Sequence, residues 1–143
     1  MDTKREKLVR ESFARQGLMT TIGAKITSIA AGQLEIHFPF SPALTQQNGF
    51  IHAGAVASVM DSACGYAAMT VAPDNHNVLS VEFKVNLLAP AAGESFVVRS
   101  AVKRAGKTLT IVTADAFALK ENGANEKEKP IATMLATMIN RPE

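Results

Sequence analysis

The chain has 143 residues, of which 47% are hydrophobic and 20% are charged, and its formal net charge is +2. This length and composition predict one soluble globular domain over residues 1–143, with too little positive charge for a nucleic-acid-binding protein. One cysteine excludes an intramolecular disulfide, and the charged N-terminus lacks the apolar core of a signal peptide. We therefore expect a cytoplasmic protein without a membrane partner.

The N-terminal part of the chain predicts one helix followed by two strands. Residues 3 to 16, TKREKLVRESFARQ, have the pattern of a short amphipathic helix that places Val9 and Phe13 on one face and ends at Gly17. In AKITSIAAGQLEIHFPF, apolar and polar residues alternate around a turn near Gly32, which is typical of two half-buried strands. The segment SPALTQQNGF then has the composition of a loop.

A longer helix is predicted from residue 53 to about residue 71, with Pro73 beyond its end. It is followed by four strand-like segments joined by hairpins: NVLSVEFKVNLLAP, SFVVRSAVKR, TLTIVTADAFALK and PIATMLATMIN. A charged loop, ENGANEKEK, precedes the last of them. Because the long helix is apolar over most of its surface, only a sheet that curls around it can cover it. The order therefore predicts an α+β fold with a curved antiparallel sheet of five to six strands.

Asp61 is the only charged residue of the predicted long helix. A carboxylate in apolar surroundings is seldom kept without a partner or a function. At intervals of four residues it shares one helix face with Ala53, Ala57 and Gly65, and such small side chains allow a ligand or a second subunit to approach closely. Tight packing alone also explains small residues, but it does not explain the carboxylate. Asp61 is therefore a candidate catalytic residue.

The other chemically reactive side chains have simpler interpretations. His37, His52 and His76 lack a metal-ligand spacing, so we predict neither a metal site nor a cofactor. His52 comes directly before the long helix, where local hydrogen bonds as a cap would satisfy it. Cys64 has no evident base partner among its apolar neighbours, so a structural thiol is expected there.

The first amides of the long helix, at Ala53 and Gly54, are unpaired donors at the positive end of the helix dipole, and they could hold a substrate carbonyl. Asp61 lies eight residues from Ala53, which is roughly 12 Å at 1.5 Å per residue. One chain therefore cannot easily bring both groups to one carbonyl. Two antiparallel helices related by a two-fold axis could bring Asp61 of one chain to the helix N-terminus of the other. If both elements are used, we expect a homo-oligomer, either a dimer or a dimer of dimers.

The stretch GFIHAGAVASVMDSACGYAA resembles the central-helix motif of hotdog-fold acyl-CoA thioesterases, in the branch that includes the phenylacetate-pathway thioesterases. His52 and Asp61 keep the motif's spacing of nine. The segments VLSVEFKVNLLAPAAGE and VVRSAVKRAGKTLTIVTADAFA are similar to the family's later strands, so the resemblance covers about residues 20 to 140. It implies a central helix wrapped by the sheet, dimers that pair their sheets edge to edge, and hydrolysis of an acyl-CoA to the free acid and CoA.

The resemblance also implies roles for single residues. The family's catalytic carboxylate falls on Asp61, as general base for water or as nucleophile, and Gln46 would orient the water or the thioester. The amide donor falls on Ala53, where the family has a glycine, and Gly54 would complete the oxyanion site at the helix N-terminus. Gln46 is also longer than the asparagine of some relatives. Substrate-binding roles are implied at Asn48, His52 and Ser80.

Basic residues are expected near the mouth of a site that accepts the phosphates of CoA. Lys103, Arg104 and Lys107 surround the turn at Gly106 and are the candidates, although a solvated hairpin tip has the same composition. A non-catalytic acyl-CoA or acyl-chain binding protein of the same fold is the alternative function, and Asp61 argues against it. A hydratase has less support, because His52 is not a clear acid–base partner for Asp61.

Overall fold

The computed structural model describes residues 1–120 and 127–143, so most of the expected charged loop ENGANEKEK lies outside the described residues. The chain forms, in order, α1 (Thr3–Ala14), α2 (Gly17–Ile22), β1 (Lys25–Ala30), β2 (Gln33–Pro39), a short 3-10 turn (Pro42–Leu44), α3 (Ala53–Met69), β3 (His76–Leu87), β4 (Ser95–Ala105), β5 (Leu109–Lys120) and β6 (Lys127–Pro142). The predicted long helix and the predicted strand pair are confirmed.

The N-terminal segment contains two helices where one was predicted. The amphipathic helix is confirmed as α1, and its apolar face buries Val9 and Phe13. The expectation that Gly17 ends the helical segment was wrong, because Gly17 is the first residue of α2. The helical segment ends instead at Gly23, whose φ of 78° is the left-handed conformation that glycine adopts readily. The burial of Met19 and Ile22 stabilises this second short helix against the core.

The six strands form one antiparallel sheet in the order β1-β2-β4-β5-β6-β3. The predicted hairpins between β4, β5 and β6 are confirmed, but the prediction of a hairpin from β3 to β4 was wrong. The backbone after β3 bonds elsewhere: the Leu88 amide donates to the Ile131 carbonyl at 2.8 Å, and the Ala91 carbonyl accepts from Ile51 at 3.1 Å. These bonds hold the segment after β3 against β6 and against the residues before α3. As a result, β3 lies at the edge of the sheet, where it pairs with β6.

The sheet wraps around α3, which contacts β2, β3, β4, β5 and β6. Five side chains of α3 away from the face with Asp61 are almost fully buried: Val56, Val59, Met60, Ala63 and Ala67. The small-residue face with Asp61 is only partly covered by the rest of the chain. Within the described residues, no helix combines the length and the apolar character needed to cross a membrane.

The edge strand β3 leaves several apolar side chains uncovered. Leu79, Val81, Phe83 and Leu87 are between 43% and 58% exposed, although their alternation predicts a half-buried strand. A bulge between Ser80 and Glu82 changes the register against β6, and no other strand pairs with the free edge of β3 among the described residues. A long apolar edge of this kind is a template for pairing with another chain.

Candidate active site

The start of α3 is capped by a histidine side chain. The Nδ1 atom of His52 accepts a hydrogen bond from the Gly54 amide at 2.8 Å, which satisfies one of the free donors of the first helical turn. A Cβ atom at Gly54 would lie only 3.0 Å from that nitrogen, so glycine leaves room for the cap. The chain itself therefore engages the Gly54 amide, whereas the sequence suggested this amide as an oxyanion donor.

We expect His52→Ala to destabilise the protein by about 1 kcal/mol, as loss of an N-cap generally does. The matched variant is His52→Asn, because asparagine is also a good N-cap residue and should recover most of the loss. Urea or thermal unfolding measures both. Equal stability of the wild-type protein and His52→Ala would contradict the capping role. If His52→Asn recovers stability without recovering turnover, the imidazole has a second role at the substrate.

The first cavity lies at the start of α3 and holds the carbonyl-binding candidates. It has a volume of about 550 Å³, and Gln46 and Ala53 contribute to its wall. Among the residues that the structure describes, the Ala53 amide forms no hydrogen bond. This free amide, at the positive end of the helix dipole, is the geometry required to stabilise a developing negative charge.

The loop before α3 orients the side chain of Gln46. Its Oε1 atom accepts a hydrogen bond from the backbone amide of Asn48, so the two N–H groups of the side chain remain available to an acceptor in the cavity. The loop is closed by further backbone bonds, in which Gln46 donates to Phe50 at 2.9 Å and accepts from Gly49 at 3.0 Å. Asn48 thus acts through its backbone on Gln46 and does not line the cavity.

Asp61 lies in a second cavity, of about 260 Å³, between α3 and the start of β3. The hydroxyl of Ser80 donates to Asp61 Oδ1 at 2.6 Å, and Ser80 also lies 3.4 Å from the Met138 sulfur. This contact fixes one carboxylate oxygen, and the other forms no hydrogen bond with a described residue. Asp61 and Ser80 were both candidates from the sequence, and the fold brings them together.

Polar residues that the sequence analysis missed surround Asp61. Ser62 donates to Oε1 of Gln16 at 2.8 Å, and one turn further along α3 the hydroxyl of Tyr66 lies 3.1 Å from that of Ser12. Ser62 and Tyr66 are four residues apart and share one face of α3, but they follow Asp61 by one and five residues and lie off its face, so helix geometry alone could not have identified them. Their partners, Ser12 on α1 and Gln16 between α1 and α2, could not have been identified either, because only tertiary packing brings this segment to α3.

Cys64 has no reactive environment. It is fully buried, and burial together with the negative charges of Asp61 and Asp115 raises the pKa of its thiol to about 12. The thiol therefore stays protonated at neutral pH, in agreement with a structural role.

The two cavities have no wall residue in common, so the candidate carbonyl donors and Asp61 of one chain lie at separate cavities. The separation agrees with the distance of roughly 12 Å that the helix rise gives. The basic candidates Lys103 and Arg104 lie on β4, and Lys107 lies in the turn before β5. None of these three residues lines either cavity.

Comparison with known proteins identifies the family. Residues 48–124, more than half of the chain, match the thioesterase superfamily. A protein of Saccharolobus solfataricus that is named as a candidate esterase is 30% identical over 109 residues, which cover 76% of this chain and 72% of that protein.

Solved structures share the whole fold. The crystal structure of a thioesterase family protein from Silicibacter pomeroyi superposes with a TM-score of 0.92 at 47% identity and covers 97% of this chain and 99% of that one. The E. coli PaaI protein, from the phenylacetic acid degradation operon, gives a TM-score of 0.82 over 98% of this chain and 94% of its own, and at 15% identity it supports the fold alone. The chain has the hotdog fold and belongs to the thioesterase superfamily.

Proposed function

We propose that this protein hydrolyses acyl-CoA thioesters, with Asp61 activating water and the start of α3 binding the thioester carbonyl. The observation that carries the proposal is the hydrogen bond of 2.6 Å that holds the Asp61 carboxylate against Ser80 in a cavity of about 260 Å³. A protein that only binds acyl groups has no need of an oriented carboxylate on an otherwise apolar helix. Family membership supports hydrolysis of a thioester, and the acyl-CoA substrate is our proposal.

The carbonyl half of the reaction uses the Ala53 amide and the side-chain amide of Gln46. Both are donors at the same cavity, so the carbonyl oxygen can accept from both as it becomes an oxyanion. In the general-base route, Asp61 removes a proton from water, and the resulting hydroxide attacks the carbonyl carbon. The tetrahedral intermediate then collapses, the C–S bond breaks, and the CoA thiolate leaves and takes up a proton.

The same geometry permits a nucleophilic route. In that route Asp61 attacks the carbonyl carbon, CoA leaves as the thiolate, and water hydrolyses the resulting mixed anhydride. A single turnover in ¹⁸O-labelled water identifies the nucleophilic route if label enters the Asp61 carboxylate, which happens when water attacks the aspartyl carbon of the anhydride and cannot happen in the general-base route.

A complete site needs two chains. An antiparallel pairing of β3 with its own copy would bury the exposed side chains of Leu79, Val81 and Phe83. Since β3 runs beside α3, the same two-fold axis would bring the Asp61 cavity of one protomer toward the start of α3 in the other. We therefore propose a homodimer with two shared sites, which is also compatible with a dimer of dimers.

The direct test is an assay of the purified protein against straight-chain and aromatic acyl-CoAs, with detection of the free thiol. Hydrolysis supports the proposal. Binding of acyl-CoA without release of thiol would support the alternative, a binding protein of the same fold. If acyl-CoA is neither bound nor hydrolysed, both functions are excluded.

We expect Gln46→Ala to lower kcat roughly 10²- to 10³-fold, because the substitution removes one donor to the oxyanion. The free energy of unfolding should change by less than about 1 kcal/mol, since the side chain bonds only to a loop amide. Gln47→Ala, at the exposed neighbouring position, is the matched control and should leave kcat unchanged. Unchanged kinetics of Gln46→Ala beside an unchanged melting temperature would remove Gln46 from the site.

A further inference from the structure

The two cavities differ in chemical character. The cavity at the start of α3 is walled mainly by apolar side chains, including Phe50, Val56 and Leu87. The Asp61 cavity is walled mainly by hydroxyl and amide side chains, among them Ser12, Gln16 and Tyr66. An acyl-CoA has the same asymmetry: its acyl arm is predominantly apolar, whereas its thiol arm carries two amides, a hydroxyl group and phosphates.

A larger groove continues the Asp61 cavity toward solvent. It has a volume of about 580 Å³ and shares part of its wall with that cavity, including Ser12, Gln16 and Asn77. Its wall also includes Arg15 and Arg141, which do not line the Asp61 cavity and so mark the end of the groove away from Asp61. Arg141 pairs with Asn77 on β3, three residues before Ser80. The Asp61 cavity and the groove together therefore span roughly 10 Å of β3, from Ser80 to the strand position beside Arg141, at about 3.3 Å per residue.

The two arginines at this end are free to bind an anion. Arg15 donates to the Glu11 carbonyl of its own helix at 3.2 Å, and neither arginine forms an ion pair with a described carboxylate. Glu143 is the carboxylate that lines the same groove. Asn140, the residue before Arg141, also donates to the Lys107 carbonyl at 3.2 Å and so ties the β4–β5 turn to this end of the sheet.

The wall between Asp61 and the arginines can hydrogen-bond to amides. Ser62 occupies Oε1 of Gln16, so the side-chain N–H groups of Gln16 remain available. The hydroxyls of Ser12 and Tyr66 share one hydrogen bond, in which only one of them is the donor, so each keeps further hydrogen-bonding capacity.

We propose that this groove binds the thiol arm of the substrate, with a phosphate group at Arg15 and Arg141. The pantetheine amides then lie along the wall formed by Gln16, Tyr66 and Ser12, and the sulfur reaches Asp61. The acyl group extends the other way, into the partner's apolar cavity at the start of α3, which makes apolar acyl groups the preferred class. This inference rests on the proposed function, because it assigns the two arms of the same thioester.

The test compares two substrates that differ only in the thiol arm. Butyryl-CoA carries the phosphates, and the butyryl thioester of N-acetylcysteamine lacks them. In the double variant Arg15→Gln/Arg141→Gln, KM for butyryl-CoA should rise roughly 5- to 20-fold with kcat nearly unchanged, and added salt should reduce the difference. The short thioester should be affected less than twofold. Equal effects on both substrates, or no effect on either, would overturn the assignment.

Control variants separate local binding from net charge. Lys4→Gln/Lys25→Gln removes two exposed positive charges outside the groove and should leave KM for butyryl-CoA within twofold. Glu143→Gln removes the carboxylate from the groove and should lower KM. If the lysine pair raises KM as much as the arginine pair, general electrostatic attraction explains the effect and the groove is not the site.

The competing source of an anion is a carboxylate on the acyl group. The glutaryl thioester of N-acetylcysteamine tests for binding of such an acyl carboxylate, because it has a carboxylate but no phosphate. If the arginine variant impairs this substrate and spares butyryl-CoA, the groove holds the acyl arm and the proposal is wrong. Calorimetric titration with CoA alone measures binding without hydrolysis, so it tests the groove separately from the proposed thioesterase activity. CoA binding that the arginine variant loses would support the groove even in a protein without turnover.

Discussion

Asp61→Asn is expected to lower kcat by about 10²- to 10⁴-fold, the usual contribution of a general base. Asparagine has nearly the same size, and its oxygen can accept the hydrogen bond that Ser80 donates to Asp61 Oδ1. The fold and the substrate cavity should therefore survive while the proton acceptor is lost. Steady-state kinetics with free-thiol detection measures the loss, and thermal unfolding shows whether the protein remains folded.

The matched control for this substitution is Asp115→Asn. Asp115 is exposed on β5, where Oδ1 accepts from the Thr133 hydroxyl at 2.8 Å, so the same chemical change is made away from both cavities. It should leave kcat within about twofold, as surface substitutions generally do. Near wild-type hydrolysis of every accepted thioester by Asp61→Asn would contradict the mechanism. A loss shared by both variants would point to a general effect of the reduced negative charge.

The local elements could be predicted because their signals are local. The apolar pattern of α3 and the alternation in β2 depend only on neighbouring residues, and both predictions are confirmed. The segment after Gly17 gave no such signal, since a helix of 6 residues is too short to show a period. Its stability comes from the burial of Met19 and Ile22 by distant parts of the chain.

The position of β3 could not be predicted from its own residues. The alternation around Phe83 fits a strand that buries one face, but it does not say which strand lies beside it. In the structure β3 pairs with β6 across a long sequence separation, and Phe83 remains 43% exposed. An alternating pattern has the same form whether the apolar face meets its own core or a second chain.

The site was predictable only where the motif is continuous in sequence. Ala53 and Asp61 lie on one helix, and the resemblance placed Ser80, which the fold brings to within 2.6 Å of the carboxylate. Gln16 and Arg141 come from opposite ends of the chain, and neither has a recognisable motif. They reach the groove beside Asp61 only through the packing of the N-terminal helices and the pairing of β3 with β6.

Heterodimers of two inactive chains are expected to recover activity. One chain carries Asp61→Asn, and the other carries Gly54→Val, whose Cβ would lie 3.0 Å from His52 Nδ1 and disturb the start of α3. Since each proposed site combines the Asp61 cavity of one chain with the helix start of the other, one of the two sites in the mixed dimer has no defect. The other site carries both defects.

The mixed dimer should therefore regain about half of the wild-type kcat per dimer, because a two-fold interface creates two equivalent sites. Co-expression with two different affinity tags and tandem purification isolates the heterodimer, and each mutant homodimer, purified in the same way, is the control. If each chain used its own helix start and its own Asp61, both sites of the mixed dimer would remain defective. Verified heterodimers that are no more active than the two homodimers would therefore rule out shared sites.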